Sequence, residues 1–254
     1  MAVNPMDLAG KRILVTGASS GIGRDTAILL SRLNATLAIT GRDETRLNQT
    51  LESLEGTGHV ATVFDFSNLA NDGIGPWFQS VAETGPFHGL VHAAGVQATI
   101  PLKTLSEQKI DLLLRTNVTS ALLLARAFCH RSAHTKPASI VFLSSVMSVV
   151  GKPAISLYAA SKGALTAMTK SLAVELARDK IRVNCVAPGF VPTEMWDDLR
   201  ESLSPEQFAA IEAMHPLGPG TTFDVAHSIA FLLSDASRWI TGTNLIVDGG
   251  YTAQ

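Results

Sequence analysis

Short apolar runs rich in β-branched residues alternate along this chain with longer stretches whose apolar positions recur at helical spacing. The short runs Arg12–Thr16, Thr36–Thr40, His59–Phe64, Gly89–His92, Ser139–Ser144, Ile181–Val186 and Asn244–Val247 predict strands. Most are apolar throughout, as strands covered on both faces should be. The longer stretches Ile22–Leu33, Asp43–Leu54, Leu69–Glu83, Ser106–Ser132, Leu157–Arg178 and Phe223–Ser234 predict helices. This regular alternation predicts an α/β fold: a doubly wound parallel sheet of about seven strands, with right-handed crossovers and helices on both faces. Ligands in such sheets bind beyond the carboxyl ends of the strands.

Composition narrows the picture without redirecting it. A chain of 254 residues can bury its core as one domain, here 1–254. Its net charge of −2 comes from 20 basic and 22 acidic residues, gathered into no block. Nucleic-acid binding, which needs a basic stripe, is therefore not expected. No apolar run approaches the roughly 18 residues of a membrane span, and Met1–Asp7 lacks both a basic start and an apolar segment for export. Cys129 and Cys185 read as buried thiols of a reducing cytoplasm, and neither has a second ligand at metal spacing.

Three segments carry candidate chemistry, all at predicted strand ends or on the helices that follow. Thr16-Gly17-Ala18-Ser19-Ser20-Gly21-Ile22-Gly23 joins the first strand to the first helix. Its glycines allow a tight turn, close approach of main-chain N–H groups to a pyrophosphate and close helix packing, while the helix N-terminus favours an anion. After the second strand come Gly41, Arg42 and Asp43. Without an acidic residue at the strand end to hold a ribose 2′-hydroxyl, the Arg42 guanidinium suits a 2′-phosphate, and Asp43 suits a helix cap. NADP(H) is thus preferred, with NAD(H) the other possibility. The third segment is Tyr158-Ala-Ala-Ser-Lys162, with Ser145 upstream. Tyrosine and lysine four apart share a helix face. A free phenol titrates near about 10, so working near pH 7 requires roughly 4 kcal/mol of preferential interaction with the phenolate. An ammonium at about 4–6 Å, aided by a second positive charge, can supply shifts of that order. Asn117, on the apolar face of its helix, needs a partner: a buried water or a neighbouring backbone carbonyl.

These motifs, in this order and spacing, resemble the short-chain dehydrogenase/reductase family from the first strand to Thr241–Gly250, with Pro188-Gly189 between. The resemblance implies a Rossmann-fold oxidoreductase that transfers a hydride between a nicotinamide and a ketone or secondary alcohol. It implies a catalytic tetrad of Asn117, Ser145, Tyr158 and Lys162. Tyr158 is the acid–base, Lys162 lowers its pKa and bonds the nicotinamide ribose, Ser145 orients the carbonyl, and Asn117 holds a relay water. Cofactor contacts would come from Gly17, Ser19, Ser20, Gly21, Ile22, Arg42, Asp65, Phe66, Ala93, Gly95, Tyr158, Lys162, Pro188, Gly189, Val191 and Thr193, and no metal is implied.

Two departures stand out. His92-Ala93-Ala94-Gly95 replaces the family's frequent Asn-Asn-Ala-Gly, and His92 reads as structural at a strand end. Pro216–Gly220 lacks the arginine that many relatives carry after the glycine. A substrate lid is expected over 192–220, with Trp196 as a contact and Met195, Leu199, Phe208, Ile211 and Met214 along it.

The substrate is left open. Reductases of 3-oxoacyl groups on acyl carrier protein resemble this chain in length and layout. On the face where such carriers dock, Lys136 fits, but Asp179 stands where an arginine is expected, flanked by Arg178 and Lys180. A keto-sugar or small-alcohol reductase would use the same tetrad, and a non-catalytic NADP(H) sensor or scaffold is the alternative of another class. The apolar excess of the helices beginning near Ser106 and Leu157 matches family helices that pair between subunits, implying a homotetramer or homodimer.

Overall fold

The computed structural model describes residues 4–68, 73–194 and 204–254. Seven strands form one parallel sheet: β1 (Arg12–Thr16), β2 (Thr36–Gly41), β3 (Val60–Val63), β4 (Phe87–His92), β5 (His134–Leu143), β6 (Ile181–Pro188) and β7 (Asn244–Val247). Their spatial order is β3-β2-β1-β4-β5-β6-β7, the doubly wound topology expected from the alternation. The order reverses between β1 and β4, where a crevice opens at the strand ends.

Helices cover both faces. On one, Phe78 of α3 (Ile74–Ala82), Leu124 and Phe128 of α5 (Ser120–Phe128) and Leu165 of α6 (Ser156–Leu176) pack on Leu14, Leu90 and Ile140. On the other, Leu30 of α1 (Gly21–Arg32), Leu47 of α2 (Glu44–Glu52) and the helix Thr222–Leu233 pack on Val15, Val91 and Val141. Adjacent strand residues thus serve opposite cores, which is why the strands read as continuous apolar runs.

Two predicted elements differ. The stretch 106–132 is not one α-helix. Between α4 (Glu107–Leu114) and α5 the residues Arg115–Thr119 form a π turn, the kind of irregularity that often marks a site. β5 starts at His134, five residues earlier than its apolar run, because His134 pairs with Phe87 across a register shift; the polar Thr135-Lys136-Pro137 conceals this in the sequence. The lid region contributes α7 (Pro205–Ala213), closed by a capping box at Ser204 and Gln207, and Thr222–Leu233 is then α8. No helix among the described residues is long and apolar enough to cross a membrane.

Candidate active site

A single cavity of about 850 Å³ runs across the carboxyl ends of the strands. Beneath β1 its wall is the glycine loop. Gly17 (φ +67°) and Gly21 (φ +52°) take the left-handed conformation that glycine favours. A Cβ on Gly17 would lie 2.7 Å from the Ala94 nitrogen, and one on Gly23 would lie 2.2 Å from the Gly17 carbonyl oxygen. The loop can follow this path only with hydrogen at those positions. Ser20, which caps α1, makes no side-chain cap bond, and no acidic residue occupies the first turn. The main-chain N–H groups and positive end of the helix are therefore left for an anion.

Beyond β2, a Cβ on Gly41 would meet the Ser19 side chain at 2.9 Å, so the strand end where an acidic residue would favour NAD has no room for one in this arrangement. Arg42 is exposed and borders the cavity. Asp43 caps α2 by accepting from the Arg46 N–H at 3.0 Å, as expected. Arg46, missed in the sequence, borders the cavity one turn on from Arg42. Asp65 accepts from the Ser67 N–H and Oγ, which lower its pKa, helped by the Arg42 charge. Phe66 is mostly buried in edge contact with Trp77 and His92, and it reaches the wall. Ala93 and Gly95 after β4, and Pro188, Gly189, Val191 and Thr193 after β6, complete that wall. Thr193 packs over Gly21, within 3.3 Å of where its Cβ would be. The geometry fits a dinucleotide laid across the switch point.

Ser145, Tyr158 and Lys162 meet beyond β5. The neighbouring Ser144 donates to the Lys162 carbonyl at 2.9 Å and lies 3.1 Å from Thr166 Oγ1, which ties it to α6. Burial pushes the Tyr158 phenol up to about 12, and the nearby Ser145 side chain opposes this only in part. Burial also pulls the Lys162 ammonium down to about 8; its Nζ donates to the Leu143 carbonyl at 2.8 Å and lies 5.6 Å from the Tyr158 ring centre. Without the second positive charge that the pairing needs, burial sets the phenol pKa.

Asn117 lies behind the wall. Its Oδ1 accepts from the Val96 N–H at 2.8 Å, and its Nδ2 donates to the Val96 carbonyl at 2.9 Å and to Ser161 Oγ at 3.1 Å. Of the two partners weighed for this amide, the structure provides the backbone one. His92 is buried and structural. Thr16 Oγ1 accepts from the Ala94 N–H and hydrogen-bonds His92 Nδ1, whose Nε2 faces Ser120 Oγ at 3.1 Å. Burial drives the imidazole to about 3, so it stays neutral while bracing β1, β4 and the start of α5.

The far wall holds Ile211, expected along the lid, and residues that sequence reasoning did not select: Lys152, Ile155, His215 and Tyr251. Only the position of Lys152 between Ser145 and Tyr158, on a loop beyond a strand end, could have drawn notice. Met195, Trp196 and Leu199, expected in the lid, lie outside the described residues. Phe208 packs on Phe190 with ring centres 5.9 Å apart.

A family model described as Enoyl-(Acyl carrier protein) reductase matches residues 17–252. A 3-oxoacyl-[acyl-carrier-protein] reductase of Rickettsia prowazekii is 35% identical over 96% of this chain and 98% of its own. A gluconate 5-dehydrogenase of Gluconobacter oxydans is 32% identical over 96% of each chain. Among solved structures, one from Beutenbergia cavernae described as an NAD(P)-dependent gluconate 5-dehydrogenase, with NADP at low occupancy, superposes with a TM-score of 0.89 at 33% identity, covering 99% of this chain and 100% of that one. These matches run almost end to end and span the glycine loop as well as the Tyr158–Lys162 helix, and on that basis the chain belongs to the short-chain dehydrogenase/reductase family.

Proposed function

We propose that this protein is an NADP(H)-dependent reductase of a small ketone. The observation that carries the reading is the continuity of one cavity from the α1 N-terminus and Arg42, near β1 and β2, to Ser145, Tyr158 and Lys162 beyond β5. Glycine main chain holds the pyrophosphate, and Arg42 takes the 2′-phosphate, with Asp65 and Phe66 beside the adenine. When bound there, a nicotinamide supplies the hydride. Tyr158, protonated because it is buried, gives its proton to the carbonyl oxygen as the carbon is reduced, while Ser145 bonds that oxygen. A neutral, proton-donating phenol suits the reductive direction. Lys162 lies along the same helix face to bond the ribose. Asn117 is a positioning residue whose amide locks Val96 to α6, so any relay through a water uses its main chain.

A freely diffusing ketone is favoured over a carrier-bound acyl group because Lys136, which fits a carrier-protein surface, is ion-paired with Asp179 at 2.8 Å. NADPH consumption should be followed across keto-sugars, keto acids and a 3-oxoacyl N-acetylcysteamine thioester. Turnover of a small ketone is expected, and NADPH binding with no turnover of any compound would favour a sensor or scaffold instead. The unpaired thiols of Cys129 and Cys185 suit a cytoplasmic setting. Exposed Leu112 (54%), Leu122 (46%) and Val174 (81%), on the helices that pair in relatives, support a homotetramer.

A further inference from the structure

The substrate end of the cavity holds two cations without a carboxylate partner among the described residues: Lys162, which donates to the Leu143 carbonyl, and Lys152. Lys152 is half-buried on the loop between the short turn Val146–Ser148 and α6. That loop is held in place: Pro153 follows, Ala154 adopts the left-handed conformation (φ +63°), and its carbonyl accepts from the Ile100 N–H at 2.7 Å. The Lys152 ammonium sits 5.3 Å from the centre of the Tyr251 ring, and that ring stacks on His215 at 5.0 Å with planes 17° apart.

Among the described residues, the neighbouring groups that could neutralise or compete with Lys152 are already engaged. Glu194 is paired with Arg24 at 2.9 Å. Asp248 accepts from the Gly250 N–H, the Thr252 N–H and Thr252 Oγ1, which fixes the turn that presents Tyr251. His215 accepts from the Phe190 N–H at Nε2 and hydrogen-bonds the Ile211 carbonyl through Nδ1, so both ring nitrogens are engaged. Burial disfavours the Lys152 ammonium and lowers its pKa. An anion seated beside it would offset that cost. Tyr251 and Ile155 supply flat and apolar surface next to the charge.

We infer that Lys152 is a specificity-determining residue that binds a carboxylate on the substrate, making the ketone reduced here the anion of a keto acid. This assignment rests on the ketone-reductase reading above. It is tested by NADPH-dependent initial rates of the full chain on keto acids and uncharged counterparts: 5-ketogluconate against L-sorbose, and levulinate against its methyl ester. The wild type should favour the acids. In Lys152→Gln, KM for the acid should rise at least about tenfold, the scale of one hydrogen bond to a charged group, with kcat changed far less. Lys152→Arg should restore KM, which a purely structural role would not produce. Equal kcat/KM for acid and uncharged counterpart, or an unchanged KM in Lys152→Gln, would overturn this assignment while leaving ketone reduction standing. NADPH binding without turnover of either class would overturn the ketone-reductase reading, and this assignment with it.

Discussion

The cavity is walled by main chain beneath β1 and β2 but by side chains beyond β5 and β6. At the first end the positions that matter are defined by what cannot be there: a Cβ on Gly17, Gly23 or Gly41 would overlap its neighbours. At the second end the chemistry is in the heads of Ser145, Lys152 and Tyr158, from one stretch of chain, and Tyr251, from near its end. A backbone-built site recognises what all dinucleotides share, a pyrophosphate. A side-chain-built site can change its substrate without disturbing the fold.

The contrast can be broken or sharpened by substitution. The largest effect is expected at Gly23→Val, whose side chain would have to occupy space 2.2 Å from the Gly17 oxygen. NADPH binding should weaken at least about 100-fold by calorimetry, or the protein should fail to fold. Arg42→Asp should reduce the NADP-to-NAD ratio of kcat/KM by about 10- to 100-fold, a charged hydrogen bond replaced by repulsion. An unchanged ratio would remove Arg42 from the cofactor site.

Lys162 should produce a pH effect of smaller size. Its ammonium, which favours a bound anion, is lost as pH rises through about 8, so NADPH affinity should fall above that value by up to about tenfold per pH unit. Lys162→Met should abolish this dependence. The unfolded lysine keeps its proton to higher pH than the folded one. Ligand-free stability should therefore gain a contribution as pH rises from about 8 towards the ordinary value of 10.5, measurable by denaturant titration. The mildest change is expected from Val174→Asp, which should shift the assembly to a smaller species by light scattering and leave the cavity intact. A wild type that scatters as a monomer would contradict the tetramer.

The same contrast explains what could be read from the sequence. Gly17, Gly21 and Gly23 stand in one contiguous segment at a strand–helix junction, so local stereochemistry made their role visible. Tyr158 and Lys162 were visible because helical spacing puts them on one face. Tyr251 and His215 were not, since only the return of the chain to the end of β7 brings them opposite Lys152. The π turn at Arg115–Thr119 was hidden because its residues continue an apolar helical pattern, and the start of β5 because Pro137 interrupts one. The rise of the phenol pKa was not visible from spacing: an i, i+4 lysine can be read in a sequence, but burial is a property of the packed fold.

The two ends of the cavity can be separated in one protein. Tyr158→Phe removes the phenol and leaves the glycine loop and Arg42 untouched. NADPH affinity and ketone turnover should be measured on the same preparation. Affinity should stay within about threefold while turnover falls by at least about 100-fold, the loss expected when a positioned proton donor is removed. Turnover kept within about tenfold of wild type, or affinity lost together with it, would contradict the central claim.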